Sequence, residues 1–245
     1  MNKGQILKRI NDWLKENFVS FLILSIFVVF LGVSIVYFNN DNIDSKDYTR
    51  DLLIYTSLNT LLALFNTYVR IENYEALKEN RKVKTFGFVK QASKHGNKMF
   101  LLSLLIQIKI TLWTMLFIIP GLVKRLEYQR AVYNMVDYPD MQIGEAFASA
   151  RMEMRGRKWD LFLTELITLI PLMLAVMMLF YSFIQITFDG GMRIEYSLDV
   201  FKVIVGIFAI FGIMYSNMLS LSLEPVFNLE LNKISKENIS DNYSF

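Results

Sequence analysis

Four stretches, residues 18–38, 52–69, 161–188 and 200–223, run apolar for about the 20 helical residues that a hydrocarbon core of about 30 Å demands. No water reaches that core, so a segment crossing it must satisfy its own backbone hydrogen bonds, and a long unbroken apolar run does so as a helix. The chain therefore reads as all-α, a polytopic helical membrane protein. Its 53% hydrophobic content exceeds the roughly 45–50% of soluble domains, and 245 residues suit a single integral membrane domain over 1–245. Lys3, Lys8, Arg9 and Lys15 precede the first stretch as they would in a signal peptide. The apolar run is too long for one and lacks a small-residue cleavage site, so it is expected to stay as an anchor.

A fifth region, 99–138, decides the number of crossings, because only its first half is strongly apolar. A single crossing would put Lys124, Arg125, Arg130, Arg151, Arg155, Arg157 and Lys158 outside, against the bias that keeps Lys and Arg in cytoplasmic segments. A hairpin that enters and returns, as membrane elements 99–119 and 121–138, restores the bias. Eighteen Lys and Arg then lie in inner segments and three, Lys46, Arg50 and Arg193, in outer loops. Those loops are acidic as well, through Asp41, Asp44, Asp47 and Asp51 in one and Asp189, Glu195 and Asp199 in the other. Six membrane elements are expected, with both termini cytoplasmic. The hairpin is expected to turn at Pro120 and Gly121, where proline ends one helix and glycine tolerates the reversal. The second arm carries charges that lipid would not accept, so it must be shielded by protein or lie as a re-entrant or interfacial element.

Two further segments read as interfacial helices on the inner leaflet, apolar side down. In 1–17, Ile6, Ile10, Trp13 and Leu14 form one stripe; in 139–158, Ile143, Phe147, Ala150 and Met154 repeat at helical spacing after an N-cap at Asp140. A weaker amphipathic pattern covers 85–98, and the polar tail 233–245 is expected to be flexible.

The stretch 112–163 carries a recognisable pattern in Leu112, Trp113, Ile119, Pro120, Gly121, Lys124, Tyr128, Pro139, Glu145, Ala146, Ser149, Gly156, Lys158 and Trp159. It resembles the bacterial integral-membrane family catalogued as domain of unknown function 975. The hydrophobic layout agrees more loosely over most of the chain. The resemblance implies a bacterial plasma-membrane location, and the family name itself leaves the function open.

Lys109 lies mid-arm, where a charge costs about 2.5–3.5 kcal/mol on insertion scales. The facing depth on the returning arm includes Glu127 and Arg130. A Lys109–Glu127 ion pair is expected to pin the two arms, with a proton or ion relay as the functional alternative. Thr56, Asn59, Thr60, Ala63, Asn66 and Thr67 share one helical face, and Ser103, Gln107, Thr111 and Thr114 form a similar row on the first arm, with Lys109 pointing the other way. Such rows are either glue between helices or the wall of a hydrophilic cavity. Glu165 and Glu224 sit within about a turn of the cytoplasmic ends of their spans and are expected to reach interfacial water, Glu224 marking the end of the last helix before Pro225. Arg151, Arg155, Arg157 and Lys158, followed by Trp159, read as a topology signal and anchor, with anionic-lipid contact as the functional version. His95, in a basic polar stretch, is expected to be solvated.

No phosphate loop, HExxH or GxSxG motif occurs, cysteine is absent, and one histidine cannot supply a two-imidazole ligand set. A net charge of +3 is too small to suggest nucleic acid. No enzyme activity, cofactor or metal is expected, and the partners are the lipid bilayer, anionic lipids and other membrane proteins. The favoured reading is a non-enzymatic accessory, scaffold or envelope-related membrane component. The alternative is a small transporter or lipid-handling protein with a polar path along the central hairpin; a membrane enzyme ranks last. The lack of an internal repeat weighs against a transporter.

Overall fold

The computed structural model describes the backbone of residues 3–41, 48–183, 185–188, 192–195 and 200–242, with side chains over 4–31, 54, 56–117, 119–166, 169–179, 181 and 203–233. Eight helices carry the fold among these residues: α1 (Lys3–Glu16), α2 (Phe18–Asp41), α3 (Tyr48–Lys78), α4 (Gly87–Leu116), α5 (Ile118–Asp137), α6 (Ile143–Glu153), α7 (Lys158–Phe183) and α8 (Val200–Asn242). A short antiparallel ladder, β1 (Gln185–Phe188) with β2 (Met192–Glu195), lies between α7 and α8. The apolar run expected as one element over 161–188 thus ends its helix at Phe183 and finishes as strand. The acidic residues Asp44, Asp47, Asp189 and Asp199 and the basic Lys46, expected in outer loops, lie outside the described residues.

Among the described residues, three helices are long and apolar enough to cross a membrane, over Gly87–Leu116, Lys158–Leu179 and Val203–Lys233. The bent pair Gly4–Glu16 and Phe18–Leu31, at 87°, makes a fourth if taken as one span. The rest of the protein buries just 22%, 19% and 28% of the three apolar windows. Large side chains such as Ile170, Met173 and Met177 on α7 and Phe208 and Phe211 on α8 are left facing outward. Such surface is stable against lipid and not against water, so the architecture is compatible with a multi-pass membrane protein. Residues 52–69 fall within α3, which is not among the three.

The corner between α1 and α2 is made by Asn17. Its amide donates to the Trp13 carbonyl at 3.0 Å, while its side-chain oxygen accepts the Val83 N–H at 2.8 Å. The α1 stripe of Ile6, Ile10, Trp13 and Leu14 is buried, in one cluster with Leu223, Val226, Phe227 and Leu231 of α8, so protein rather than lipid covers it. The same correction holds for α6. Its Phe147 and Ala150 pack with Tyr128, Ala131 and Val132 of α5, and its N-terminus is capped by Gln142 with Glu145, not by Asp140. A second cluster, built on Tyr74, Met99, Leu102 and Tyr133, fills the space between α3, α4 and α5.

The last helix does not stop at Glu224. Pro225 removes one backbone N–H and strands the carbonyl four residues earlier; that carbonyl, on Leu221, accepts the Asn73 side-chain amide from α3 at 3.4 Å. The helix runs on to Asn242, through most of the segment expected as a flexible tail.

Helices α4 and α5 fold back on each other. Gly121 packs against Thr114, the Lys109 ammonium reaches the Tyr128 ring, and the Lys98 ammonium donates to the Pro139 carbonyl at 2.6 Å, three pairings in one antiparallel register. The break falls at Phe117, whose extended backbone (φ −156°, ψ 132°) separates the helices, not at Pro120 and Gly121, which lie in the first turn of α5. Proline belongs there because a first-turn N–H has no helical partner to lose. Gly121 serves close approach instead of reversal: a Cβ on it would fall 2.3 Å from Thr114 Oγ1 and 2.9 Å from Thr114 Cα.

Candidate functional site

Of the charges expected to trouble the second arm, Lys124, Glu127 and Arg130 are met by protein, whereas Arg125 is exposed. Glu127 is buried and gathers three cations: Lys124 at 3.1 Å, Lys158 at 2.6 Å and Arg151 at 3.3 Å. Arg130 is buried between Glu153 at 2.5 Å, the Asn228 side chain and carbonyl, and Asn232. Lys109 does not pair with Glu127, whose two oxygens are taken by these other cations. Its ammonium lies 3.5 Å from the Phe147 ring centre and 5.5 Å from that of Tyr128, so two aromatic faces receive the mid-arm charge. These groups lock α5 to α4, α6, α7 and α8 and leave little for a ligand. Two of the expected lipid-contacting cations, Arg151 and Lys158, turn inward to Glu127; Arg155 remains exposed and Arg157 half-buried. His95 is not solvated: its side chain is buried, with Nε2 3.6 Å from a Glu75 oxygen.

A different set of polar groups meets one turn further along. Arg70 of α3 donates to Glu224 of α8 at 2.9 Å, and Gln129 of α5 donates to the other Glu224 oxygen at 2.9 Å. Cavities open on either side of this crossing. One, of about 350 Å³, lies among α3, α4 and α5 and is walled by Asn66, Thr67, Ser103, Gln107, Gln129 and Tyr133. The other, of about 370 Å³, lies among α5, α7 and α8, with Glu165, Ser216, Asn217 and Ser220 at its polar end and Leu166, Leu169, Leu172 and Ile213 beyond. Arg125 and Glu224 line both. Five buried polar atoms at the first cavity's wall have no hydrogen-bond partner among the described residues: Asn66 Oδ1, Arg70 Nε, Ser103 Oγ, Gln129 Oε1 and the Tyr133 hydroxyl. Buried polar groups are ordinarily satisfied, so the cavity is shaped for a guest that forms hydrogen bonds, water included.

Of the polar rows on α3 and α4, Asn66 and Gln107 come together at this cavity, joined by Thr67 and Ser103. Thr60 and Thr67 bond back to the carbonyls of Thr56 and Ala63, and Asn59 does not line either cavity. The residues that complete the site, Arg70, Arg125, Gln129, Tyr133, Glu165 and Glu224, were not singled out from sequence, apart from the two glutamates assigned to interfacial water. One signal was present. Steps of three and four carry the α3 polar stripe past Asn66 to Arg70, and the same steps link Ile213, Asn217, Ser220 and Glu224 on α8.

Compared with known proteins, the chain matches no family model, no curated protein and no solved structure.

Proposed function

We propose that this is a non-enzymatic multi-pass protein of a bacterial plasma membrane, with cytoplasmic termini, that admits a small hydrogen-bonding group into the paired cavities as a lipid-handling or transport component. The observation that carries the reading is the set of five unpartnered buried polar atoms around a cavity bordered by the Arg70–Glu224–Gln129 crossing. An adhesive scaffold needs no such interior. The likeness to the bacterial family and the charge sorting of the sequence support the placement and orientation.

In this reading the α4–α5 hairpin is re-entrant. Gln129 is level with Glu224, and the tip at Phe117 lies about 16 to 18 Å further along at 1.5 Å per residue, roughly half of a 30 Å core. The tip is apolar on all sides, with Leu112, Met115, Leu116, Phe117 and Ile119 exposed. From Leu126 on, α5 sits among protein.

Because the chain has no cysteine, single-cysteine labelling tests this directly. Ser103→Cys and Ser220→Cys, one per cavity, should react with a membrane-impermeant thiol reagent from the cytoplasmic side, while Ala175→Cys, packed beside Gly212, should not. Silence at both cavity positions from both sides of the membrane would overturn the proposal.

A further inference from the structure

We propose that the cavity among α5, α7 and α8 seats an anionic glycerophospholipid of the inner leaflet, its phosphate on Arg125 and the upper part of one acyl chain in the groove between α7 and α8. The inference rests on the polar-site reading above and gives its ligand a chemical class.

Arg125 is the starting point. Of the three basic residues of α5, Lys124 is held by Glu127 and Arg130 by Glu153 and two asparagines. Arg125, between them in sequence, has neither a hydrogen bond nor an ion pair among the described residues, yet lines both cavities. Glu224, which shares those walls, is already engaged on both oxygens by Arg70 and Gln129. Glu165 lines the same cavity as Arg125, within reach of its charge. A planar guanidinium with free donors at the apolar level of a membrane protein suits a phosphate, which it can grip through two parallel hydrogen bonds.

The cavity is itself amphipathic. Ser216, Asn217 and Ser220 surround the polar end and can meet the phosphate and glycerol oxygens, whereas Leu166, Leu169, Leu172 and Ile213 continue as an apolar channel. About 370 Å³ falls in the roughly 300–1,000 Å³ range of small-molecule sites, room for a head and the start of one chain, the remainder lying in the bilayer. The apolar end faces outward beside the exposed Met173 and Leu174 of α7. A soluble anion would gain nothing from that channel, and a zwitterionic lipid, whose own choline cation offsets its phosphate, gains less from Arg125 than one with net negative charge. Exposed Arg155 and half-buried Arg157, just before α7, add positive potential at the entrance that draws anionic lipid.

The test uses the full chain in phosphatidylcholine vesicles carrying a trace of phosphatidylglycerol with a photoactivatable acyl chain, the labelled residues being mapped by peptide mass spectrometry. Labelling is expected around Leu169, Leu172 and Ile213. In Arg125→Gln it should fall by at least about tenfold, the loss that goes with one charge-assisted hydrogen bond. Arg125→Lys should retain part of it, and Glu165→Gln should raise it. A phosphatidylcholine probe, its phosphate offset by choline, should label these positions more weakly and depend less on position 125. Equal labelling by the two probes, or indifference to Arg125→Gln, overturns the inference. So does loss of labelling in excess inorganic phosphate, which would make the site one for the free anion. Ser103→Cys and Ser220→Cys reactivity in the same vesicles separates the two levels: if either position stays reachable while labelling is unselective, the lipid fails and the polar site stands; if both are sealed as well, both fall.

Discussion

Glu127→Gln removes one charge at nearly constant shape and strands three cations, so its cost can be worked out from the surroundings of each. The Glu127 side chain is 1% exposed, against 23% for Lys124, 29% for Lys158 and 65% for Arg151. At that exposure Arg151 is screened by solvent and contributes under about 1 kcal/mol. Lys124 and Lys158 are largely covered, and removing the shared partner of a buried pair costs about 3–5 kcal/mol. The glutamine carbonyl still accepts one hydrogen bond, which returns about 1 kcal/mol. The expected loss is thus about 2–4 kcal/mol. Lys158→Gln and Lys124→Gln, each leaving Glu127 two cations, should cost about 1 kcal/mol, and Arg151→Gln under about 0.5 kcal/mol. Reversible unfolding of the purified protein in mixed micelles, followed by helical circular dichroism, reads these differences. A loss below about 1 kcal/mol for Glu127→Gln, or an equal loss for Arg151→Gln, would refute the assignment of Glu127 as the shared counter-charge.

Two further outcomes follow from other contacts. Asn73→Leu should cost about 1–2 kcal/mol by leaving the Leu221 carbonyl unpartnered, and most of that cost should vanish in a Pro225→Ala background, where residue 225 regains the N–H that bonds it. Additive effects in that cycle would remove Asn73 as the partner of the proline break. Outside the membrane-spanning segments, burial would raise the Glu72 carboxyl, but hydrogen bonds from Arg81 at 2.5 Å and Gln91 at 2.9 Å outweigh it and hold the group below its ordinary 4.5. A depressed carboxyl contributes its full stability above the unfolded value and loses it as pH falls through the folded one. Stability should therefore hold from neutral pH down to about 4.5 and decline below, with a shallower decline in Glu72→Gln; identical acid limbs for the two proteins would count against the Arg81 contact.

The parts of this fold visible in the sequence were those encoded by unbroken apolar length and by spacing. Residues 18–38, 161–183 and 200–223 needed nothing beyond their own hydrophobicity to be placed as helices. What escaped was set by partners distant in sequence. Proline before a polar stretch reads locally as a helix end, yet Asn73, 152 positions earlier, supplies the missing donor and lets α8 continue. Amphipathic stripes on α1 and α6 read as lipid-facing because a stripe does not say what covers it, and here α8 and α5 do. At the site, Asn66 and Gln107 were found because they interrupt apolar runs. Arg70 was passed over and Glu224 assigned to interfacial water because each stands at the margin of a run, where a charge is unremarkable until its partner is known.

The pairing of Arg70 with Glu224 also orders events in the life of the chain. The carboxylate that neutralises this arginine is synthesised 154 residues after it, and the asparagines that hold Arg130 follow it by 98 and 102. Until α8 is made, Arg70 lacks the carboxylate that neutralises it, and Arg130 has Glu153 but not its two asparagines. A chain cut short before Glu224 would therefore leave Arg70 without the carboxylate that pairs with it.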